Sequence, residues 1–245
     1  MTSFSDAEIR RFQELQCWIF DLDDTLYPKD CGLFSHVDAR MSLFIQQFLG
    51  VSPEEAPRVQ KRYFHAYGTT LKGLMHHHDV RPELFLEYVH DIDYGVVPRD
   101  DQLTAALQRL PGRKVIFTNG TTAHAAAVLK RLGADACFEA VFDIASAEYA
   151  PKPDPAPYQT LTQQLEIDPR VALMAEDMAR NLIPSAAMGM TTVWVCPDGA
   201  ETTADAASTP PHFHHIADRG LTAWLNAVTA AAFEGTPDHR PFTTS

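Results

Sequence analysis

Residues 18–27 read Trp-Ile-Phe-Asp-Leu-Asp-Asp-Thr-Leu-Tyr, and this stretch decides how the rest of the chain is interpreted. Its first three residues form an apolar run too short for a buried helix, which predicts a strand buried on both faces. Three carboxylates, Asp21, Asp23 and Asp24, follow directly, and no Lys or Arg stands beside them. Because like charges repel and carboxylates at the end of a buried strand need a partner, we expect a cation here. Mg²⁺ fits a small carboxylate cluster that also receives a phosphate.

The alternative for this stretch is an Asx-turn that ends the strand, with Asp24 or Thr25 capping the following segment. A single Asp would favour that turn. The spacing Asp-x-Asp-x-Thr, directly after an apolar strand, favours the metal and phosphate site instead.

Composition and charge limit the classes of protein to which the chain can belong. Its 245 residues, 45% of them hydrophobic, suffice for one large domain or for a domain with an insertion. The formal net charge of -12 argues against a nucleic-acid partner. No apolar run approaches the roughly 18 residues of a membrane span, and residues 1–13 contain no secretion signal. The four cysteines form no Cys-x-x-Cys pair, so we expect reduced thiols in a cytoplasmic protein.

From residue 101 onward, apolar runs alternate with helical patterns, which predicts a parallel sheet. Besides the strand at 18–20, we expect strands at 115–118, 141–144, 171–175 and 192–196. Helices are expected at 6–13, after 101, and at 124–132, 155–165, 181–188 and 221–233. Right-handed crossovers would wind these elements into a doubly wound α/β fold with ligands beyond the carboxyl ends of the strands. Residues 199–211 are expected to form a surface loop and residues 235–245 a tail.

Between the first strand and residue 99, the sequence has helical periodicity and no convincing strand. Apolar residues between positions 37 and 48 follow helical spacing, and Gly50 stands where that helix would end. A capping box at residues 52–55 predicts that a second helix starts at Pro53, and apolar residues at 84–89 suggest another. We therefore expect residues 1–28 and 99–245 to form one core and residues 29–98 a helical insertion.

Three further groups of polar residues fall at or near predicted strand ends. Thr118 and Asn119 close the second strand, where a hydroxyl and backbone N–H groups entering a helix can bind phosphate; an ordinary turn is the alternative. Lys152 lies in a loop stiffened by three prolines. Most lysines are solvated surface charges, but a cation is needed to balance phosphate and carboxylates. Glu176 and Asp177 end the fourth strand.

These residues resemble the motifs of the haloacid dehalogenase superfamily, most of whose members are phosphatases. The sequence at residues 21–26, Asp-Leu-Asp-Asp-Thr-Leu, is similar to the first motif, Thr118 to the second, Lys152 to the third, and residues 176–177 to the fourth, metal-binding motif. The resemblance covers about residues 17–196 and implies that residues 29–98 form a cap that closes over the active site. Residues 26–28, Leu-Tyr-Pro, together with residues 67–71, resemble the pyrimidine 5'-nucleotidase-like branch.

The resemblance implies a covalent mechanism assisted by a metal ion. Asp21 would attack phosphorus and form an aspartyl-phosphate. Asp23 would protonate the leaving alkoxide and later take a proton from the water that hydrolyses the intermediate. Mg²⁺ would be held by Asp21, the main chain of Asp23 and Asp177, with Glu176 as a ligand or a supporting residue.

Phosphate binding would fall to Thr118, the N–H of Asn119 and Lys152, which would stabilise charge on the transferring group. The expected activity is hydrolysis of a small phosphomonoester, and the branch resemblance implies a pyrimidine nucleoside 5'-monophosphate. The alternatives are another small phosphometabolite or a sugar phosphomutase of the same superfamily. A phosphate sensor would have no use for Asp23, and neither would a dehalogenase, because a leaving halide needs no acid.

Discrimination between substrates has to come from outside the phosphate site. Tyr27 follows the first motif, and Thr69 and Thr70 lie in a stretch whose glycine and hydroxyls suit a turn that offers hydrogen bonds. An ordinary connection between helices is the alternative for that stretch. The three histidines at residues 76–78 are expected to be a solvated loop, because adjacent residues do not converge on one metal ion. Oligomeric state is left open.

Overall fold

Six strands form one parallel sheet in the computed structural model, which describes residues 3–196 and 214–234. The strands are β1 (Cys17–Phe20), β2 (Arg113–Phe117), β3 (Ala140–Phe142), β4 (Ala172–Glu176), β5 (Thr191–Val195) and β6 (His215–Ala217). Their order across the sheet is β3-β2-β1-β4-β5-β6, and every neighbouring pair is parallel. Because β1 lies between β2 and β4, the carboxyl ends of these three strands lie side by side at one edge of the sheet.

Helices cover both faces of this sheet. In chain order they are α1 (Asp6–Gln13), α2 (Leu33–Leu49), α3 (Ala56–Tyr67), α4 (Thr70–His78), α5 (Pro82–Val89), α6 (Asp101–Arg109), α7 (Thr122–Leu132), α8 (Pro155–Gln164), α9 (Leu182–Ala187) and α10 (Leu221–Ala232). Side chains of β1 alternate between two apolar clusters. Trp18 and Phe20 join α1, α6, α7 and α10 on one face, while Cys17 and Ile19 join α8 and α9 on the other. Burial on both faces explains the uninterrupted apolar run of this strand.

Helices α2 to α5, which we call the helical cap, lie between β1 and β2 in the chain and pack around an apolar cluster of their own. Helices α3 and α4 approach so closely that a Cβ added to Gly73 would lie 2.4 Å from the Cβ of Tyr63. Ile144, from the loop after β3, belongs to the cap cluster and is 2% exposed. This residue therefore anchors the cap to the sheet side of the molecule.

The predicted α/β fold with inserted helices is confirmed, and each of the five predicted strands lies within two residues of its expected bounds. The prediction misses β6, whose three residues are too few to show a pattern. The loop predicted at 199–211 and the tail predicted at 235–245 lie outside the described residues. Within residues 3–196 and 214–234, none of the helices combines the length and the apolar character that a membrane span needs.

Helix α4 corrects the expected turn at residues 67–71 and the expected solvated loop at residues 76–78. The hydroxyl of Thr69 accepts the N–H of Lys72 at 3.2 Å and caps this helix, and the three histidines form its last turn. The start of α3 at Ala56, three residues after Pro53, is a second correction. Two of the histidine rings hydrogen-bond tyrosine hydroxyls of α3, at 2.7 Å for Tyr63 with His78 and 2.6 Å for Tyr67 with His77.

Candidate active site

A tight turn after β1 places the first carboxylate at the edge of the sheet. The N–H of Asp21 donates to the carbonyl of Ala175 at 3.0 Å, which continues the pairing of β1 with β4. The N–H of Thr25 then donates back to the carbonyl of Leu22 at 3.3 Å. Between them, Asp24 has a φ of 58°, a left-handed conformation that Asp tolerates better than most residues. The chain therefore reverses directly after Asp21.

Lys152 is the centre of the charge network at this edge. Its Nζ donates to Asp21 Oδ1 at 2.6 Å, to Glu176 Oε2 at 2.7 Å and to the carbonyl of Phe117 at 2.9 Å. All three ammonium hydrogens therefore have a partner, and the residue is 2% exposed. The side chain of Asn119 accepts the Lys152 N–H at 2.9 Å and donates to the Lys152 carbonyl at 3.4 Å, which fixes this loop to the end of β2.

Thr25 joins the first carboxylate to those that end β4. Its hydroxyl donates to Asp21 Oδ2 at 3.0 Å and accepts the N–H of Asp177 at 3.1 Å. The indole of Trp194 donates to the carbonyl of Asp177 at 2.7 Å and holds the same loop from β5. The second carboxylate oxygen of Glu176 accepts the backbone N–H two residues later, at 3.2 Å. Both oxygens of Glu176 are therefore already hydrogen-bonded.

This cluster fits a divalent cation. Asp21, Glu176 and Asp177 each offer a carboxylate oxygen, and these oxygens lie within 4.8 Å of one another. Burial and the facing Glu176 raise the pKa of Asp21 to about 7, and burial with Glu176 raises the pKa of Asp177 to about 10. Burial lowers the pKa of Lys152, but Asp21 and Glu176 outweigh it and keep the ammonium charged. Three ionised carboxylates would outweigh the one ammonium, and the raised pKa values of Asp21 and Asp177 reflect this repulsion, which a bound cation would relieve. Hard oxygen donors suit Mg²⁺.

Asp23 has a different environment from Asp21, although only one residue separates them. Its Oδ1 accepts the hydroxyl of Tyr27 at 2.6 Å and lies 2.7 Å from Nε2 of His124. Burial raises the pKa of Asp23, but the charge and the hydrogen bond of His124 and the hydrogen bond of Tyr27 outweigh it, so the pKa lies below its ordinary value. Two carboxylates with separate partners can perform separate tasks.

The remaining residues named from the sequence fall into two groups. Thr118 is 1% exposed at the end of β2, beside Asp23, and its hydroxyl accepts the N–H of Gly120 at 2.9 Å. Thr69 and Thr70, by contrast, use their hydroxyls within the cap. Thr69 caps α4, and the Thr70 hydroxyl donates to a backbone carbonyl of α3 at 3.3 Å. Tyr27 lies in the site, but its hydroxyl is committed to Asp23.

Three residues of the site are absent from the sequence-based prediction. The sequence predicts Thr25 only as a cap, and it predicts no role for His124 or Tyr94. The signal for His124 is its place on the apolar stripe of α7, four residues before Val128 and eight before Leu132, where a polar ring needs a buried partner. Tyr94 carries no comparable signal.

A family model described as haloacid dehalogenase-like hydrolase matches residues 15–189. Among curated proteins, phosphate metabolism protein 8 of Saccharomyces cerevisiae is 27% identical over 191 residues, which cover 71% of this chain and 59% of that relative. The chain thus spans less than two thirds of the length of that relative.

Solved structures share the fold. An HAD phosphatase from Thermococcus onnurineus aligns with a TM-score of 0.59 at 17% identity, covering 88% of this chain and 97% of that one. A putative HAD-hydrolase from Bacillus subtilis, described as bound to magnesium, aligns at 0.56 and 13%, covering 87% and 98%. A defluorinating L-2-haloacid dehalogenase aligns at 0.54 and 18%, covering 87% and 96%. At these identities the likeness establishes the fold alone.

Proposed function

Because this chain belongs to the haloacid dehalogenase-like hydrolases, we propose that it is a phosphatase whose nucleophile is Asp21. One oxygen of Asp21 is hydrogen-bonded to Lys152 and the other to Thr25, so the carboxylate is held at the end of β1. An oxygen of Asp21 attacks phosphorus, the bond to the alcohol oxygen breaks, and an aspartyl-phosphate remains for water to hydrolyse. The name of the yeast relative, which refers to phosphate metabolism, supports a phosphate substrate.

The placement of Asp23 carries this proposal. Its Oδ1 is fixed by Tyr27 and His124, which leaves Oδ2 to act on the substrate. In its protonated form Asp23 donates a proton to the alkoxide as it leaves, and the resulting carboxylate, which His124 and Tyr27 stabilise, takes a proton from the attacking water in the second step. A haloacid dehalogenase expels a halide that needs no proton. The acid therefore favours a phosphatase over the dehalogenases that share this fold.

The other residues stabilise charge on the phosphoryl group. Lys152 lies between the nucleophile and β4, and Thr118 and the N–H of Asn119 lie at the end of β2, so together they can surround the transferring oxygens. Asp21 and Asp177 would hold Mg²⁺ together with the main chain of Asp23, while Glu176 supports Lys152. When bound, the ion neutralises the repulsion between the carboxylate and the phosphate.

For the substrate we propose nucleoside 5'-monophosphates, with pyrimidine bases first, on the resemblance of residues 26–28 and 67–71 to that branch. Two alternatives stand beside this proposal. The substrate could be another small phosphometabolite, or the enzyme could be a mutase that isomerises a sugar phosphate. The four free cysteines support a reducing cytoplasmic compartment.

A panel of substrates tests the proposal. Nucleoside monophosphates, sugar phosphates, p-nitrophenyl phosphate and an L-2-haloacid should be incubated with Mg²⁺, with release of phosphate and of halide measured separately. We expect phosphate from the monoesters, no halide, and reversible loss of activity on chelation by EDTA. Ca²⁺ should inhibit, because its looser coordination misplaces the nucleophile.

The covalent step has its own test. Acid quenching during turnover should trap a phosphorylated enzyme, and Asp21→Asn should abolish both the adduct and turnover while the fold survives. Asp168→Asn changes an exposed acid that precedes the amino end of β4, opposite to the strand ends where Asp21 lies, and serves as the matched control. Residual turnover above about a hundredth of the wild-type rate in Asp21→Asn would contradict nucleophilic catalysis.

A further inference from the structure

Both known partners of the Asp23 carboxylate act on the same oxygen. Tyr27 and His124 meet Oδ1 at 2.6 and 2.7 Å. The other oxygen faces Gly120, where an added Cβ would lie 3.8 Å from Oδ2 and 3.1 Å from the His124 ring. An aspartate that served only to hold the loop would gain most from using both oxygens, since each hydrogen bond to a charged group contributes about 1.5–3 kcal/mol. The one-sided arrangement instead fixes the carboxylate and leaves one oxygen available.

His124 is itself held in place from its other side. The side chain is 0% exposed, and its Nδ1 lies 3.1 Å from the hydroxyl of Tyr94, which donates to the carbonyl of His90 at 3.1 Å. The ring of His90 stacks on the ring of His124 with centroids 4.4 Å apart and planes inclined by 18°. The hydroxyl of Thr121 lies 3.3 Å from His90 Nδ1. The imidazole of His124 therefore has little freedom to rotate.

The residues that hold His124 belong to the segment that returns the chain from the cap to the sheet. His90 caps the carboxyl end of α5 and directly follows its last residue. Tyr94 begins the short 3-10 helix Tyr94–Val96, which comes next in the chain. A continuous path of contacts thus runs from this returning segment, through His124, to Asp23. We propose that His124 is a positioning residue for Asp23, and that His90 and Tyr94 position His124. This inference rests on the phosphatase function proposed above.

The expected consequence is a loss that depends on the leaving group. An acid assists departure of a poor leaving group, such as phenolate, much more than departure of a good one, such as p-nitrophenolate. The ratio kcat/KM reports only the steps up to release of the alcohol, so the later action of Asp23 on water does not enter it. Phenyl phosphate and p-nitrophenyl phosphate are therefore suitable probes, and neither requires knowledge of the natural substrate.

His124→Leu should lower kcat/KM for phenyl phosphate by about 10- to 100-fold, less than the roughly 10²- to 10⁴-fold contribution of a general acid itself. For p-nitrophenyl phosphate the loss should stay within about threefold, because that ester needs little help from an acid. Asp23→Asn should show the same dependence on the leaving group with a larger amplitude. His124→Gln retains an amide donor and should recover part of the loss. Tyr94→Phe should lower only the value for phenyl phosphate.

Two control variants separate positioning from general damage. His215→Leu removes a largely buried histidine that begins β6 and packs on Phe12 and Trp224. Tyr63→Phe breaks a tyrosine–histidine hydrogen bond of 2.7 Å within the cap. Neither should change the ratio of the two kcat/KM values.

Equal losses on the two esters in His124→Leu would overturn the inference, and so would an unchanged ratio in Tyr94→Phe. If thermal unfolding shows that His124→Leu does not fold, His124→Gln and Tyr94→Phe decide by the same ratio. A wild-type protein that releases phosphate from neither ester would refute the phosphatase function itself, and is distinguished from failure of the positioning role by that missing activity.

Discussion

Replacing Lys152 with methionine should destabilise the folded protein by about 3–5 kcal/mol, the usual cost of removing one partner from a buried ion pair. Lys152 is 2% exposed, and its three donors go to Asp21, Glu176 and the carbonyl of Phe117. Methionine has a similar length and no charge, so the packing changes little. The two carboxylates then lose the cation they share.

A second substitution shows whether charge is the cause. Glu176→Gln removes one of the two carboxylates that lose their partner in Lys152→Met, so the double variant should be more stable than the sum of the single changes predicts. Groups in direct contact couple by about 0.5–3 kcal/mol, and the Nζ–Oε2 distance of 2.7 Å places this pair in that class.

The assay is urea unfolding near neutral pH in the presence of EDTA, which removes any contribution from bound metal. In a parallel thermal unfolding experiment, a loss of about 3–5 kcal/mol corresponds to a fall in Tm of roughly 6–20 °C for a chain of this size. Lys72→Met is the control, because the Lys72–Asp154 pair is exposed and 3.5 Å long, and such pairs contribute about 0–1 kcal/mol. The reasoning would be refuted if Lys152→Met lost no more free energy of unfolding than Lys72→Met. It would also be refuted if the losses of the two single variants added up to the loss of the double variant.

Three further outcomes concern packing, charge and the cap. Gly73→Ala should lower Tm. The added Cβ would lie 2.4 Å from the Tyr63 Cβ, and such overpacking costs about 1–3 kcal/mol, which exceeds the roughly 1 kcal/mol that alanine gains in a helix. A higher Tm would contradict this. Burial raises the pKa of Asp143, but four hydrogen bonds outweigh burial and lower the pKa below its ordinary value. The ionised carboxylate therefore stabilises the fold at pH values above its unfolded pKa, and this stabilisation is lost as the pH falls through the folded pKa. Asp143→Asn should therefore be less stable than wild type near neutral pH and converge on it in acid, as measured by urea titrations; a difference independent of pH would exclude the charge as the cause. Thr70→Val should cost about 1 kcal/mol of stability and change kcat/KM equally for a nucleotide and for p-nitrophenyl phosphate, since its hydroxyl bonds within the cap; a loss confined to the nucleotide would restore a role in specificity.

The parallel sheet could be predicted because its strands are buried on both faces. Such strands appear in the sequence as short, uninterrupted apolar runs, and the polar residues that follow them fall at one edge by topology alone. The position of Asp21, Thr118 and Asp177 at this edge follows from the order of the strands and needs no knowledge of side-chain contacts. Strand β6 could not be predicted, because its three residues are too few to show a pattern and only Ala217 among them is buried.

Contacts between distant elements could not be predicted in the same way. The turn expected at Thr69 and Thr70 is the start of α4, because Thr69 caps a helix whose glycine packs against Tyr63. A hydroxyl near a glycine suits either a turn or a helix cap, and only the position of α3 selects between them. The partner of His124 likewise depends on tertiary structure, since His124 lies 101 positions after Asp23 in the chain.

In the proposed mechanism Asp21 and Asp23 have opposite requirements, and the fold meets them with groups from different directions. The proposed nucleophile must keep its negative charge, and Asp21 receives Lys152 from the loop after β3 and lies beside Glu176 and Asp177, with which it could hold a cation. An acid must be aimed at the leaving group, and Asp23 receives His124 from α7, which is fixed by the segment returning from the cap. The proposed nucleophile thus depends on the sheet and on the loop that carries Lys152, whereas the proposed acid depends on the connection between sheet and cap. Loosening that connection should impair proton transfer while leaving the nucleophile and its cation site in place.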